Sequence, residues 1–211
     1  MYKLYNVKAW GSLCVHCMLE ETDVPYTNIW MTPEQVAADA FRAISPLGFI
    51  PALGLDDGTT IFESAAIVSF LVTAHPDKMM APPIATPEFG EFLAWLHFLS
   101  TNIYPAINLS EHNYLARDAA EAASMGARAV EKTFALWAVI EQRLQAEGPW
   151  MMGSTYSALD VYTFSLTLWC KPGERAFLQN FPAVAKLVSA VRARPQLKAA
   201  LEAHGVMEPR S

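Results

Sequence analysis

The chain has 211 residues, of which 53% are hydrophobic and only 17% charged, with a formal net charge of −6 and a pI near 5.3. This length can bury a large core in one or two domains, and the acidic balance argues against nucleic acid or an anionic membrane as the main partner. Three cysteines cannot form a disulfide framework, so the composition suits a reducing compartment.

The first ten residues, MYKLYNVKAW, carry two lysines and no continuous apolar core. They lack the layout of a secretory signal, which predicts a cytoplasmic location.

Residues 1–76 are predicted to form a first domain in which strands alternate with helices. The predicted strands are residues 3–7, 26–30, 51–55 and 59–62, and the predicted helices are residues 12–21, 33–41 and 65–72. Asp57 and Gly58 supply a hairpin turn between the last two strands. This order predicts a mixed sheet with helices packed on both faces.

Residues 77–87 are predicted to be a linker, because this stretch is rich in proline and lacks apolar periodicity. The second domain, residues 88–211, shows only helical patterns, over residues 88–103, 116–146, 158–169 and 183–203. Residues 92–110 contain no charged side chain, but their polar residues would be costly in lipid. They are therefore interpreted as a buried core helix.

The sequence Ser157-Ala-Leu-Asp160 has the spacing of a capping box, in which the serine caps the first turn and the acid reaches back to it. Replacing Asp160 by alanine is expected to cost about 0.5–2 kcal/mol through the lost cap.

The most informative stretch is residues 48–70, GFIPALGLDDGTTIFESAAIVSF. Pro51 lies at the head of an apolar strand, where its missing N–H suggests a turn or a cis peptide bond. Glu63 and Ser64 fall where the returning strand gives way to a helix, and the exposed N–H groups of a helix start favour a carboxylate.

At these residues the chain resembles the glutathione S-transferase superfamily, and residues 2–21 resemble the start of the bacterial beta-class members. The resemblance implies a thioredoxin-like first domain and an all-helical second domain. It also implies that Ile50 and Pro51 hold the cysteinyl part of glutathione through the backbone, while Glu63 and Ser64 hold the γ-glutamyl end. Phe49 belongs to the same expected glutathione-binding set.

The catalytic residue expected from this resemblance is Ser12, whose hydroxyl would stabilise the thiolate of glutathione at a helix start. Beta-class members carry a Cys-Ser pair at this place, whereas this chain has Gly11 and Ser12. The alternative is that Ser12 is only a helix cap. Tyr5 is either a second hydroxyl donor or a core aromatic, and Trp10 either covers the ligand or packs against the linker.

Many relatives carry a cation before the glycine of the Gly48 turn, where it meets the glycyl carboxylate of glutathione. This chain has Leu47 there, so Arg42 or His16 would have to replace the cation. Weaker glutathione binding, or a modified thiol ligand, is therefore expected.

Cys14 and Cys17 form a C-x-x-C pair at a helix start, an arrangement that lowers thiol pKa values in redox enzymes. Both follow Ser12, so a redox role competes with the simpler interpretation that they are buried small residues. Cys170 is interpreted as core, and no second ligand cluster completes a metal site.

In the second domain, Tyr104 falls where beta-class members often place a histidine that reaches the ligand. Either its hydroxyl steers or protonates the substrate, or Tyr104 is a surface or packing residue. Phe98 and Ile107 are expected to line a pocket for a hydrophobic electrophile.

The leading hypothesis is a cytoplasmic, homodimeric glutathione transferase of the detoxification type, which uses glutathione as co-substrate and no metal. Its partners would be glutathione and a small hydrophobic electrophile, with neither nucleic acid nor membrane. Two alternatives remain: a non-catalytic glutathione-binding protein of the same fold, and a glutathione-dependent thiol oxidoreductase that uses Cys14.

Overall fold

The computed structural model describes residues 1–112 and 115–210. They pack into two compact units, the first made of Met1–Gly90 with Arg192–Glu208, and the second of Glu91–Val191 with the residues from Pro209. Asn113, Tyr114 and Ser211, which fall in the predicted second domain, lie outside the described residues. The boundaries predicted at residues 76 and 88 stay a prediction.

The first unit contains a mixed four-stranded sheet with the order β2-β1-β3-β4. The strands are β1 (Tyr2–Asn6), β2 (Tyr26–Trp30), β3 (Ala52–Gly54) and β4 (Thr60–Phe62). Strand β1 runs parallel to β2 and antiparallel to β3, and β4 is antiparallel to β3. The predicted fold class, a thioredoxin-like α/β unit followed by an all-helical unit, is confirmed.

The helices predicted from residues 12, 65, 88, 116 and 158 begin within three residues of those positions, whereas the single helix predicted over residues 33–41 is wrong, because the extended backbone of Ala38 (φ −69°, ψ 144°) divides it in two. In chain order they are α1 (Ser12–Thr22), α2 (Pro33–Ala37), α3 (Asp39–Arg42), α4 (Ser64–Ala74), α5 (Pro87–Phe98), α6 (Tyr104–Glu111), α7 (Ala119–Glu147), α8 (Ala158–Thr167), α9 (Glu174–Leu178), α10 (Pro182–Arg192) and α11 (Lys198–His204). Helix α11 lies in residues 192–208, which belong to the first unit although they follow the second unit in the chain.

Side chains alternate across strand β1, which sets the two faces of the sheet. Leu4 and Asn6 are fully buried, and Asn6 lies on the side of α1, where its side chain contacts His16. Tyr5 and Val7 lie on the other side, in a core cluster with Phe41. Strand β1 therefore places the polar Asn6 on the face that packs on α1 and the aromatic Tyr5 on the opposite face.

The predicted helix over residues 183–203 is wrong, because the structure breaks it into α10, a 3₁₀ turn at Pro195–Leu197, and α11. Pro195 lacks an N–H and its ring clashes with the preceding turn, so a continuous helix is not possible there. The break allows α11 to pack on α1 in the first unit.

Helix α5 continues through a π-helical segment, Leu99–Ile103, into α6. Phe92, Leu96 and Ile103 on this run are fully buried, as expected of a core helix. Within residues 1–112 and 115–210, no helix combines the length and the apolar character that crossing a bilayer requires.

The predicted capping box at the start of α8 is present. The Asp160 carboxyl, fully buried, accepts hydrogen bonds from the N–H groups of Met151 at 2.8 Å and Ser157 at 2.7 Å, and from Ser157 Oγ at 3.2 Å. Burial raises the pKa of Asp160 to about 7, against the effect of these hydrogen bonds. Asp160 thus joins α8 to the segment before it.

We expect Asp160→Ala to lower the free energy of unfolding by about 2–4 kcal/mol, because it leaves several buried donors without an acceptor. Urea denaturation would measure this loss. Asp118→Ala is a matched control, since Asp118 caps α7 through the N–H of Glu121 at an exposed position, where about 1 kcal/mol is expected. Equal losses in the two variants would contradict the role of Asp160 beyond capping.

Candidate active site

Three chain segments meet at one end of the sheet because of the strand register. Tyr5 at the end of β1 pairs with Ala52 at the start of β3, and Ala52 pairs with Phe62 at the end of β4. The loop after β1, the peptide before β3 and the residue after β4 therefore lie at the same end. Helices α1 and α4 both begin from this end, so both present their positive dipole ends to it.

The peptide bond between Ile50 and Pro51 is cis, as the sequence suggested. The ladder of β3 begins at Ala52, so the Ile50 backbone lies just beyond the last paired residue. The turn before it is held by Ser45, which is buried and whose Oγ accepts from the N–H of Phe49 at 3.2 Å. Gly48 has φ +67°, and a side chain there would crowd the carbonyl oxygen of Val36.

Glu63 is exposed and has φ +68° and ψ 117°, a conformation that side-chain-bearing residues rarely adopt. Such backbone strain costs roughly 1–3 kcal/mol and is found preferentially at functional sites. In the described structure its carboxylate makes no capping bond to α4, whereas its carbonyl accepts from Ile67 N–H at 3.0 Å. Ser64, the first residue of α4, is buried. The orientation of the Glu63 side chain is thus set by a strained backbone conformation at the start of α4.

Helix α1 begins at Ser12, directly after Gly11, and its first turn contains no acidic residue. Ser12 is fully buried. Its Oγ accepts from the Val7 N–H at 3.1 Å and donates to the Val7 carbonyl at 3.2 Å. The Ser12 side chain therefore holds the loop before α1 in place. A catalytic role requires its hydroxyl to leave the Val7 carbonyl and to donate to the sulfur of glutathione instead. That role stays a prediction.

The aromatic residues near this end differ in exposure. Trp10 is 41% exposed and Phe49 is 65% exposed. Tyr5 is half-buried, with its ring edge-on to Phe41 at 5.8 Å between centroids. The structure thus gives Tyr5 a packing contact, while Trp10 and Phe49 offer apolar surface to a ligand.

Of the two residues considered as replacements for the cation that many relatives carry before the glycine that corresponds to Gly48, Arg42 is suitable and His16 is not. Leu47 is exposed, and Arg42 runs beside Gly48, with Nη1 3.9 Å from the position of a β-carbon there. Arg42 is exposed, and its ion pair with Asp39 at 3.5 Å is a weak surface contact. His16 is 3% exposed, and burial lowers its pKa to about 4, so it is neutral at pH 7 and cannot replace the cation.

Comparison with known proteins agrees with this geometry. Residues 12–74 match the family model of the glutathione S-transferase N-terminal domain, and residues 109–204 match that of the C-terminal domain. The chain belongs to the glutathione S-transferase superfamily.

Three relatives extend over almost the whole chain. The uncharacterized GST-like protein YncG of Escherichia coli K12 is 27% identical over 98% of this chain and 100% of its own. A glutathione transferase from Methylococcus capsulatus is 28% identical with a TM-score of 0.85, covering 98% and 100% of the two chains. A family member from Pseudomonas fluorescens, solved with two glutathione bound, is 26% identical with a TM-score of 0.79, covering 95% and 92%.

The three cysteines of this glutathione S-transferase superfamily member are buried thiols. Cys14 and Cys17 lie on α1 with 3% and 0% exposure. Burial raises the pKa of the Cys17 thiol, and the neighbouring Cys14 and acids raise it further. Since the thiolate is the reactive form, this environment favours the interpretation of the pair as packing residues.

The predicted electrophile-pocket residues lie in the second unit. Phe98 is half-buried with its ring 5.5 Å from that of Trp95, and the Tyr104 ring stacks parallel to that of Trp169 at 5.9 Å. Ile107 is 1% exposed, so its side chain belongs to the core of that unit and does not face an opening. Substrate contact by these three residues stays a prediction.

Within the described part of this superfamily member, no group of three or more His, Cys, Asp or Glu side chains could hold a metal ion. Sequence reasoning missed a different set of polar side chains beside α1, namely the buried Asn6, His16 and His204 and the half-buried Asn28. No local pattern indicated this set, because Asn6 is the last residue of a strand that also carries Lys3, and His204 lies 188 residues from His16.

Proposed function

We propose that this protein is a cytoplasmic, homodimeric glutathione transferase that joins the glutathione thiolate to a hydrophobic electrophile. The observation that carries the proposal is the convergence of the cis Ile50–Pro51 peptide, the strained Glu63 and the start of α1 at one end of the sheet. The relative from Pseudomonas fluorescens, which holds glutathione, supports glutathione as the ligand.

Each charged end of glutathione would meet a protein group that complements its charge. The Ile50 backbone would pair with the cysteinyl residue, and Glu63 would accept from the γ-glutamyl ammonium group. The N–H groups at the start of α4, with Ser64, would bind the γ-glutamyl carboxylate. Arg42 would bind the glycyl carboxylate by turning away from Asp39.

The reaction requires the bound thiol to lose its proton to water. The thiolate then attacks the electrophile and forms a thioether bond, while a leaving group departs with its bonding electrons or, in an addition, the adduct takes up a proton from water. The positive end of α1 and the Ser12 hydroxyl would favour this thiolate. Trp10 and Phe49 would shield the peptide from water. Holding both reactants in one site supplies much of the rate.

We expect Glu63→Ala to raise the KM for glutathione by about tenfold or more, because it removes a charge-assisted hydrogen bond. Arg42→Ala should raise it by a smaller factor, about threefold, since Arg42 is exposed. Steady-state kinetics and calorimetric titration with glutathione would measure both effects. Arg117→Ala is the matched control, because Arg117 is an exposed arginine paired with Glu121 in the second unit. Unchanged affinity in Glu63→Ala would contradict the proposed site.

A non-catalytic glutathione-binding protein is the second candidate. It is favoured by the burial of Ser12 and by the uncharged Leu47. Calorimetric binding of glutathione without conjugation of any electrophile in a panel would select it. A thiol oxidoreductase using Cys14 is less well supported, since Cys14 is buried; retained disulfide reduction in Cys14→Ser would exclude that cysteine.

A further inference from the structure

A buried set of polar side chains connects α11 to the loop before α1. His204 Nε2 lies 3.0 Å from His16 Nδ1, and His16 Nε2 lies 2.9 Å from the side-chain amide of Asn28. The Asn6 amide lies within 3.4 Å of both rings and 2.9 Å from Asn28 Oδ1. At the other end, the backbone N–H of Ala9 donates to His204 Nδ1 at 2.9 Å. The chain of contacts thus begins at a loop amide.

This first hydrogen bond determines where the protons lie. Because His204 Nδ1 accepts from Ala9, the neutral His204 ring carries its hydrogen on Nε2 and donates to His16 Nδ1. His16 then carries its hydrogen on Nε2, which Asn28 accepts when its side-chain amide is turned with the oxygen toward His16; the Asn6 amide is then turned as well, so that its oxygen accepts from the Asn28 amide nitrogen. The sequence of donors and acceptors therefore has one direction, from Ala9 to Asn28.

An added proton would break this order. On His204 it would place an N–H at Nδ1, facing the Ala9 N–H, and on His16 it would place an N–H at Nδ1, facing the His204 Nε2–H. Burial lowers the pKa of His16 to about 4 and that of His204 to about 3, with His16 and Lys8 lowering the latter further. Both rings are therefore neutral at pH 7.

Other charged groups surround the pair. Glu20 on α1 lies 3.7 Å from His16 Nε2 and accepts a hydrogen bond from the Tyr26 hydroxyl on β2. Glu21 on α1 is paired with Arg194, just before α11. Because Glu20 is already engaged by Tyr26 and Glu21 by Arg194, neither acid is a free counter-ion for a charged His204.

The loop that His204 holds is the one that leads into the proposed glutathione site. Ala9 has φ +57°, a left-handed conformation that costs free energy for a residue with a side chain. Trp10 N–H donates to the Val7 carbonyl at 3.2 Å, and Ser12 Oγ bonds the Val7 backbone. His204 therefore fixes the one strained residue between β1 and the start of α1.

We propose that His204 is a positioning residue, which acts through the Ala9 amide to hold residues 7–12 in the geometry that glutathione activation requires. The proposal rests on the proposed function for its effect on turnover, whereas the anchoring of the loop is independent of it. His204 itself touches neither reactant.

Two substitutions separate the two hydrogen bonds of His204. Asparagine places its side-chain oxygen near the position of Nδ1, so His204→Asn keeps an acceptor for Ala9. Glutamine places its amide near Nε2, so His204→Gln keeps the contact with His16 and loses that with Ala9. We expect kcat for conjugation to fall by about tenfold or more in His204→Gln and by clearly less in His204→Asn.

Leu201→Ala is the control for stability. Leu201 is fully buried on α11, so its truncation destabilises the same helix without touching Ala9. We expect this variant to lose thermal stability but to keep its turnover at temperatures well below its melting point. If Leu201→Ala loses turnover as His204→Gln does, the effect comes from the packing of α11 and the proposal is wrong.

Nuclear magnetic resonance tests the anchor without any reaction. In the wild type, the imidazole nitrogens should show hydrogen on Nε2 of both His204 and His16, and the Ala9 amide should exchange slowly. That protection should persist in His204→Asn and disappear in His204→Gln. Hydrogen on His204 Nδ1 in the wild type, or a protected Ala9 amide in His204→Gln, would overturn the proposal. A protein that shows this pattern but conjugates no electrophile would refute the proposed function alone.

Discussion

Ser12→Ala is expected to lower kcat for glutathione conjugation by about a hundredfold while changing the KM for glutathione little, since it removes a donor aimed at developing negative charge. The hydroxyl now donates to the Val7 carbonyl at 3.2 Å, and it would turn to the sulfur when glutathione binds. The ultraviolet absorbance of the bound thiolate, followed against pH, should show a higher thiol pKa in the variant.

Ser165→Ala is the matched control for this experiment. Ser165 is a buried serine in α8 whose Oγ donates to the Val161 carbonyl at 2.8 Å. Both variants should lose about 1 kcal/mol of unfolding free energy through the lost hydrogen bond, but only Ser12→Ala should lose turnover. Unchanged turnover in Ser12→Ala would restrict Ser12 to holding the loop and leave the thiolate to the N–H groups of α1.

Acid is expected to destabilise the protein strongly through the two buried histidines. Their folded pKa values, about 4 for His16 and about 3 for His204, lie below the unfolded value of 6.5. Below pH 6.5 the unfolded chain therefore binds protons that the folded chain does not bind. The free energy of unfolding is thus unaffected by these histidines above that pH and decreases as the pH drops toward 4. At pH 5 the loss is roughly 2 kcal/mol for each histidine.

Urea denaturation at pH 7 and pH 5 would measure the change in stability, and the change in His204→Asn should be less destabilising than that in the wild type by roughly 2 kcal/mol, the contribution of one histidine. Asp160 acts in the opposite direction, because its raised pKa makes the folded state gain protons below pH 7. Its contribution is common to both proteins and cancels in the comparison. The same pH dependence in wild type and His204→Asn would contradict the assignment of the acid sensitivity to His204.

Residues near one another in sequence were the predictable part of the site. The cis peptide before Pro51, the hairpin at Asp57-Gly58 and the capping box at Ser157 each depend on local chemistry that residue types reveal. The order of such local elements predicted a mixed sheet followed by helices, and the resemblance to the glutathione S-transferase superfamily implied the thioredoxin-like fold class. Pro195 was also visible, and the proline rule would have divided the helix predicted over residues 183–203.

The remaining features depend on distant contacts or on backbone conformation. Ala9 and Glu63 have left-handed φ values that their residue types do not favour. These conformations therefore could not be predicted from the local sequence. The burial of Ser12 depends on how the loop folds back on Val7. The tautomer of His16 depends on His204, which only the tertiary fold brings beside it.

The inclusion of residues 192–208 in the first unit also has a consequence for synthesis of the chain on the ribosome. The helices of the second unit are translated between the sheet and α11. Until α11 has emerged, the nascent first unit holds Asn6 and His16 without the imidazole that completes their hydrogen bonds. Cotranslational folding of the thioredoxin-like part should therefore remain incomplete until α11 is made. Nascent chains that lack α11 should be the most readily cleaved by proteases and bound by chaperones.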